Sequence, residues 1–337
     1  MTMFKTIDCT LRDGGNINSW NFTRKEVTTI VKGLDNAKVD IIEVGYKGGS
    51  GSNKSKNTGE SSQCDPDFID FLPDLHNSKY GIMISPNPSM DVNIIDKIDS
   101  KKISWIRIAS YPENVDYSFQ YIEHAKNSGF KVSMNLMGTS KINVDNIVEI
   151  AKKLKSLDAD LFCLADSFGS LVPKEIENIF YQILYNVSIP LGFHGHNNLG
   201  LSFTNTLAAI DAGATYIDSS ICGMARGAGN LPTEQLLSGI KKIKNIKKYN
   251  EQAIIETAEY LQNNILNHPM TISKAELLCG LNDLHFYYFD IINNLCEEKG
   301  YNLFDFAEIL SYKTASSVDK NIVAEVAEII KDKNHAI

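Results

Sequence analysis

Residues 161–167 read Leu-Phe-Cys-Leu-Ala-Asp-Ser, a short and almost continuously apolar run that ends in two polar residues. Segment 173–185 follows with a proline at its start and apolar residues at helical spacing, and 189–196 is another apolar run. Short apolar runs of this kind predict strands that are buried on both faces, as in parallel sheets. Proline is favoured at a helix start, where its missing N–H would have no partner. This strand–helix–strand unit predicts a parallel α/β fold.

Similar β-rich runs recur through the first two thirds of the chain, separated by segments with helical spacing such as 143–157. The eight runs are 4–11, 39–46, 80–85, 105–110, 131–137, 161–167, 189–196 and 216–222. Eight strand–helix units favour a closed (β/α)8 TIM barrel over an open sheet. We expect residues 1–248 to form this catalytic domain.

The alternation stops near residue 249, and helical spacing takes over in a C-terminal helical domain, residues 249–337. Its predicted helices are 251–266, 274–299, 303–310 and 318–333. The dense aromatic cluster 284–289 is typical of a packing surface, against the barrel or a second subunit. A homo-oligomer, in particular a dimer, is therefore expected.

Composition is that of an ordinary globular protein, with 43% hydrophobic residues and a net charge of −8, which argues against a nucleic-acid partner. No apolar stretch approaches the roughly 20 residues of a membrane span, and no cleavable signal pattern opens the chain. The six cysteines are scattered without C-x-x-C spacing, as in reduced thiols rather than a disulfide or zinc framework. We expect a cytoplasmic protein without membrane contact.

The Gly- and Ser-rich stretch 47–64 follows the second predicted strand and is too long for a simple connection. In a barrel it would lie on the catalytic face as a mobile lid. A disordered insertion without a role in function is the alternative.

Polar residues fall within or at the ends of the predicted strands, and the carboxyl ends of barrel strands carry the active site. They are Arg12, Asp13, Glu43, Asn135, Asp166, His194 and His196. Residues two apart in a strand share a face, so the two histidines could reach one ion together with Asp13. Such a set suits Mn²⁺, Mg²⁺, Co²⁺ or Zn²⁺, although His-x-His pairs also arise by chance. Arg12 could pair structurally with Glu43, face a substrate, or do both.

Four motifs give these residues a context: TLRDG at 10–14, IEVG at 42–45, HGHNNLGL at 194–201 and GMARGAGN at 223–230. In order and spacing they resemble the DRE-TIM metallolyase superfamily, which includes HMG-CoA lyase-like enzymes, and within it most nearly the 4-hydroxy-2-oxovalerate aldolases. The resemblance implies a divalent metal, for which we expect Mn²⁺. It makes Asp13, His194 and His196 metal ligands, places Arg12 beside the substrate oxygen and lets Glu43 orient Arg12.

Further roles follow from the same resemblance. Asn230 matches an asparagine near the metal, or else caps a glycine turn. Asn16 stands where these aldolases carry a catalytic histidine, and asparagine cannot act as a base. The tail places His285 where the family has a tyrosine, which makes it the candidate acid/base, with a packed aromatic-cluster histidine as the alternative. Asn135, Asp166 and Asn16 are the further predicted substrate-binding residues, beside Arg12.

The leading functional hypothesis is an aldolase that cleaves or forms 4-hydroxy-2-oxo acids from a 2-oxo acid and an aldehyde. One alternative is a Claisen-type acyl-CoA lyase or condensing enzyme. Cys222, just before Gly223, loosely resembles the cysteine-bearing glycine loop of the acyl-CoA lyases. The other interpretation of Cys222 is a buried thiol. Another alternative is a non-catalytic, metal-binding partner subunit. The resemblance also suggests an aldehyde dehydrogenase as a partner.

Overall fold

The structure is a computed structural model that describes residues 4–49, 57–314, 318 and 320–335. Its parallel strands close into a barrel in chain order, and the last strand pairs with the first. The strands are β1 (Lys5–Asp8), β2 (Ile41–Tyr46), β3 (Lys79–Ile84), β4 (Ile103–Ser110), β5 (Lys131–Leu136), β6 (Leu161–Asp166), β7 (Leu191–Gly195) and β8 (Tyr216–Ser219). The predicted TIM barrel is confirmed. The predicted lid at 47–64 includes residues 50–56, which lie outside the described residues.

Helices surround the barrel, and their apolar faces explain where they form. In Val144–Ser156 the buried side chains Ile147, Ala151 and Leu154 recur at helical spacing, and the Asn143 side chain caps the first turn by accepting from the Asp145 N–H. The helices are α1 (Gly15–Asn18), α2 (Arg24–Asn36), α3 (Pro66–Phe71), α4 (Val115–Asn127), α5 (Val144–Ser156), α6 (Pro173–Asn186), α7 (Ser202–Asp211), α8 (Thr233–Lys244), α9 (Glu251–Asn264), α10 (Lys274–Leu281), α11 (Phe289–Lys299), α12 (Leu303–Lys313) and α13 (Lys320–His335). A 3₁₀ helix, Val92–Lys97, stands where the alternation would place an α-helix after β3.

Apolar side chains close the amino-terminal end of the barrel. They are Ile7, Ile41, Trp105, Leu161 and Tyr216. Lys5, Lys79 and Lys131 are at the amino-terminal ends of β1, β3 and β5. The buried charged side chains lie farther along the strands, as in Glu43, Arg107 and Asp218. In a barrel of this kind the carboxyl ends of the strands carry the site.

The helices of the C-terminal tail pack into two different apolar clusters. Helix α9 contacts α2 and α8, and its buried residues join the core of the barrel, whereas α10 to α13 pack around a separate apolar cluster. The domain boundary at residue 249 stays a prediction. No helix among the described residues is long and apolar enough to cross a membrane.

The single helix predicted over 274–299 is wrong. Helix α10 ends at Leu281, Asp283 takes a left-handed conformation with φ 48°, and a 3₁₀ turn at Phe286–Tyr288 precedes α11. Short polar side chains tolerate that conformation, so the chain can turn here without glycine. The turn carries the aromatic cluster to the mouth of the barrel, where His285 contacts Phe168 with ring centroids 6.5 Å apart.

Hydrogen bonds hold this part of the tail on the barrel. Lys141 Nζ donates to the carbonyl oxygens of Ser311 at 2.8 Å and Thr314 at 3.0 Å, and these residues lie at the end of α12. Asn198 Nδ2 donates to the Glu276 carbonyl at 3.2 Å. These bonds anchor the tail to loops that follow β5 and β7.

Candidate active site

A cavity of about 490 Å³ opens at the carboxyl ends of the strands, under the tail. Six of the predicted site residues line it: Arg12, Asp13, Asn135, His194, His196 and His285. Residues that the sequence analysis did not select also line it, notably Tyr46, Tyr111 and Arg226. The barrel and the tail together enclose one site.

A tight turn after β1 presents Arg12 and Asp13 to this cavity. Both backbone N–H groups donate to the Cys9 carbonyl, at 3.1 and 2.7 Å, and the Arg12 carbonyl accepts from Trp20 Nε1 at 2.7 Å. A Cβ atom at Gly14 would lie 2.3 Å from the Thr10 carbonyl oxygen, so only glycine fits there. The turn therefore depends on the glycine that follows the Arg-Asp pair.

Asp13, His194 and His196 form a buried cluster of ligand atoms. Asp13 Oδ2 lies 3.7 Å from His194 Nε2 and 3.9 Å from His196 Nε2. The three ligand atoms all lie within 4.8 Å of one another. Burial would raise the pKa of Asp13, but the charge of Arg12 beside it holds that pKa well below its usual range. Burial lowers the pKa of His196 to about 3, so this imidazole is neutral and keeps an electron pair for an ion.

Asp218, at the carboxyl end of β8, orients the first of these histidines. His194 Nδ1 lies 3.0 Å from Asp218 Oδ2 and donates to it, which leaves the Nε2 electron pair for the Asp13 side. Arg107 Nη2 donates to both oxygens of Asp218, at 3.0 and 2.8 Å. A carboxylate on the outer nitrogen of a histidine is the usual support of a metal ligand.

Asn230 completes the cluster. Its Nδ2 donates to Asp13 Oδ2 at 2.8 Å, and its backbone bridges that of His196. Its Oδ1 is buried and has no hydrogen-bond partner among the described residues. An unpaired buried oxygen beside a carboxylate and two imidazoles fits a divalent cation that accepts mixed nitrogen and oxygen ligands.

Arg12 both forms an ion pair and faces the cavity, so the two interpretations of this residue hold together. Its Nε donates to Glu43 Oε2 at 2.8 Å, and Nη1 lies 3.0 Å from Asp13 Oδ1. Arg107 Nη1 contacts the same Glu43 oxygen at 3.2 Å. Arg12 Nη2 makes no hydrogen bond within the described chain. Two edges of the guanidinium are thus fixed while one remains for a ligand.

The position of His285 constrains its chemistry. Its Nδ1 accepts from the Tyr287 backbone N–H at 3.2 Å, so in the neutral ring Nε2 carries the proton. Burial, and then the positive charge of Arg226, lower the pKa of His285 well below its ordinary value. His285 is therefore a neutral imidazole that donates through Nε2.

Two predicted substrate-binding residues, Asn16 and Asp166, are not among the residues that line the cavity, and their binding role stays a prediction. Asn16 Nδ2 donates to the Asp13 carbonyl at 2.8 Å and to its Oδ1 at 3.2 Å, so it positions the turn. The Asp166 carboxylate turns into the loop after β6, where it accepts from the N–H groups of Ser170 and Leu171 at 3.0 and 3.3 Å. Burial raises the pKa of Asp166 to about 7.

Comparisons with known proteins show the family to which this chain belongs. The HMGL-like family matches residues 106–261. A 4-hydroxy-2-oxovalerate aldolase from Carboxydothermus hydrogenoformans is 35% identical over 279 residues, which are 82% of this chain and 82% of that protein. The chain belongs to the 4-hydroxy-2-oxovalerate aldolase family. Its members are carbon–carbon lyases with a TIM barrel.

Solved structures support the same fold for this aldolase-family chain. The N-terminal domain of a Bacteroides vulgatus protein assigned as an aldolase is 28% identical, with a TM-score of 0.77, over 87% of this chain and 97% of that one. The HMG-CoA lyase from Brucella melitensis, at 14% identity, has a TM-score of 0.65 over 78% of this chain and 99% of that one. The second likeness shows the fold alone.

Proposed function

We propose that this protein is a divalent-metal-dependent aldolase that cleaves or forms 4-hydroxy-2-oxo acids, with a pyruvate-type enolate and an aldehyde as the two halves. One observation carries the proposal: Asp13, His194 and His196 converge in the cavity beside Arg12, in a chain of this aldolase family. The cavity is of a size that small-molecule sites usually have.

In this proposal Asp13, His194 and His196 hold the metal, and Asn230, whose Nδ2 donates to Asp13, carries an unpaired buried oxygen that is a further candidate ligand. Mn²⁺ is the ion we propose, because it accepts imidazole together with carboxylate and amide oxygens. When bound, such an ion supplies Lewis-acid polarisation of the 2-oxo acid carbonyl. Asp218 holds His194 in the tautomer that can ligate.

Arg12 stabilises the enolate oxygen in the proposed mechanism. Its guanidinium is always protonated, and Glu43 and Asp13 fix its plane, so Nη2 can donate without further ordering. A preorganised donor of this kind typically contributes about 10²- to 10³-fold in kcat. Glu43 is a positioning residue, since it acts through Arg12.

His285 is proposed to contact the oxygen on C4 of the substrate. With Nδ1 held by the Tyr287 N–H, the ring donates through Nε2 to that oxygen. In aldol addition, negative charge develops on this oxygen as the C3–C4 bond forms. In cleavage the hydroxyl must first lose its proton, and the charge then passes to the enolate as the bond breaks. To accept the C4 hydroxyl proton itself, the ring must first release the Tyr287 N–H and change tautomer. In cleavage His285 would take this proton at Nε2 after the change of tautomer, and in aldol addition it would return the proton to the C4 oxygen.

The alternative functions find less support. Cys222 is buried, its Sγ donates to the Ala258 carbonyl at 3.4 Å, and burial raises its pKa to about 12, so no reactive thiol marks an acyl-CoA lyase. A non-catalytic subunit would not need a guanidinium fixed beside the ligand cluster. The dimer and the aldehyde dehydrogenase partner stay predictions.

The test uses metal-depleted enzyme reconstituted with Mn²⁺, Mg²⁺, Co²⁺ or Zn²⁺. Cleavage of 4-hydroxy-2-oxovalerate is followed by pyruvate release, and addition by NMR of pyruvate with a series of aldehydes. His196→Ala should remove both activities, whereas His124→Ala, a control histidine on the surface of α4, should keep them. Absence of metal-dependent cleavage and addition with every substrate would refute the proposal. Release of CoA from acetyl-CoA with 2-oxo acids would favour the Claisen alternative instead.

A further inference from the structure

The glycine-rich loop 223–230 after β8 holds one arginine at the wall of the cavity. Gly227 and Gly229 take left-handed conformations with φ 60° and 83°. A Cβ at Gly229 would lie 2.2 Å from the Gly223 carbonyl oxygen, and one at Gly227 would lie 3.3 Å from the ring of Phe286 in the tail. The loop is therefore tightly packed between the barrel and the tail, and Arg226 has a defined place in it.

Arg226 differs from the other arginines that are packed inside the barrel. Arg12 and Arg107 each contact carboxylates at 2.8 to 3.2 Å. No carboxylate oxygen of the described residues lies within 4.0 Å of the Arg226 guanidinium, which lines the cavity. Glu113 also lines the cavity, but it is an exposed side chain at the rim. A half-buried cation without a paired carboxylate is a position where a negatively charged ligand would supply the missing partner.

The charge of Arg226 acts on Asp13 and His196 in the ligand cluster as well as on residues of the surrounding cavity wall. Its charge acts on the hydroxyl of Tyr111, which follows β4 on the opposite side of the barrel, and on the ring of His285 from the tail. Tyr288 acts on Tyr111 as well. We call Tyr111, Arg226, His285 and Tyr288 the outer compartment. Under the proposed function His285 contacts the C4 oxygen, so the outer compartment would lie beside the aldehyde half of the substrate.

The cavity also has more room than the smallest aldol product needs. 4-Hydroxy-2-oxovalerate has nine heavy atoms, which occupy about 270 Å³ if each takes the volume of a water molecule in the liquid. The cavity volume is about 490 Å³. Space for further heavy atoms therefore remains in the cavity that Arg226 lines.

We propose that Arg226 binds a carboxylate at the far end of the aldehyde, so that the preferred aldehyde substrate is an aldehyde-acid. This inference rests on the proposed aldolase function. The planar guanidinium matches a carboxylate through two parallel hydrogen bonds, and a single arginine balances a single negative charge. A phosphate dianion would require more cationic partners than the outer compartment offers among the described residues.

The experiment compares aldehydes of equal size in aldol addition to pyruvate: succinic semialdehyde, which ends in a carboxylate, and 4-methylpentanal, which ends in an uncharged branch of the same shape. Glyceraldehyde 3-phosphate tests a phosphate end. The measured quantity is the ratio of kcat/KM for the charged aldehyde to that for the neutral one. Variants are Arg226→Met, Arg226→Lys and the control Arg24→Met, which removes an exposed arginine paired with Glu60.

The wild-type ratio should favour succinic semialdehyde and should fall about 30- to 1000-fold in Arg226→Met, the loss expected when one partner of a desolvated charge pair is removed. Arg226→Lys should retain part of the preference, and Arg24→Met all of it. Circular dichroism and thermal unfolding establish that the Arg226 variants are folded. A wild-type enzyme without preference for the carboxylate, or with preference for the phosphate, overturns the proposal.

Other outcomes separate this proposal from the proposed function. If Arg226→Met lowers kcat/KM equally for both aldehydes and raises KM for pyruvate, Arg226 binds the carboxylate of the 2-oxo acid, and the proposal is overturned while the aldolase stands. If no aldehyde reacts, succinate binding is measured by calorimetry on metal-free protein. Binding that is lost in Arg226→Met then supports the anion site although the aldolase has failed, and binding that persists in Arg226→Met overturns it.

Discussion

Replacing Asp218 by asparagine tests the proposed support of the metal site most directly. Asp218 is fully buried and receives three hydrogen bonds, two from Arg107 Nη2 and one from His194 Nδ1. Asparagine has the same shape but has only one acceptor oxygen. Its lowest-energy orientation keeps that oxygen between His194 and Arg107 and turns the NH₂ group toward the other hydrogen of Arg107.

The magnitude follows from these contacts. The carboxylate charge that balances Arg107 is lost in the core of the barrel, and breaking a buried ion pair costs about 3 to 5 kcal/mol of unfolding free energy. His194 keeps an acceptor, but a neutral one, so its Nε2 becomes a weaker base. Loss of such a supporting carboxylate lowers metal affinity by about 10- to 100-fold, which corresponds to about 1.4 to 2.7 kcal/mol. Both stability and Mn²⁺ affinity should therefore fall.

Calorimetric titration of metal-free protein with Mn²⁺ measures the affinity, and urea unfolding measures the stability. The control is Asp96→Asn, because Asp96 makes the same kind of contact, 2.7 Å from His124 Nε2, at the surface. That variant should bind Mn²⁺ as the wild type does and lose less than about 1 kcal/mol. A destabilised Asp218→Asn protein with unchanged Mn²⁺ affinity would show that Asp218 only balances Arg107, and the reasoning on His194 would be refuted.

Further predictions concern the substrate and the pH dependence. Arg12→Lys keeps the charge but loses the planar fork, so kcat should fall by about 10²-fold or more with Mn²⁺ still bound, and a near-native kcat would leave Arg12 with a structural role only. His285→Asn should lower kcat by about 10²-fold. Because the pKa of His285 lies well below 6.5, the plot of wild-type kcat against pH should show no loss of activity between pH 7 and pH 6.5. A fall in kcat within that range would contradict the assigned neutral state of His285. Burial raises the pKa of Asp8 from 3.8 to about 6, so its stabilising contribution is complete below pH 3.8 and is lost as the pH rises through 6. Asp8→Asn should therefore gain about 2 kcal/mol relative to the wild type between pH 4 and pH 8 in urea unfolding, and a pH-independent difference would contradict the raised pKa.

The barrel could be predicted from the sequence because parallel strands that are buried on both faces leave a simple pattern, as in the wholly buried strand β6. The break in the helix predicted over 274–299 was harder to see, since no proline marks it, Gly280 lies within α10 and not in the turn, and apolar spacing continues on both sides. The pair Asn282-Asp283 was the available signal, because short polar side chains tolerate the left-handed conformation that Asp283 adopts.

The cluster of candidate metal ligands was predictable because their spacing in one strand and at one turn places them on the same end of the barrel. Asp218 and Arg107 were missed, although each is a charged residue within a run of apolar strand residues, the same signal that pointed to Glu43. The sequence of one strand does not show which buried charges from different strands contact each other. The closed barrel brings β4, β8 and β7 together around His194. Asp166 shows the converse, because a carboxylate at a strand end can satisfy backbone N–H groups in its own loop as well as face a ligand. A buried charge in a strand therefore predicts a partner, and the fold decides whether that partner is another side chain, the backbone or a ligand.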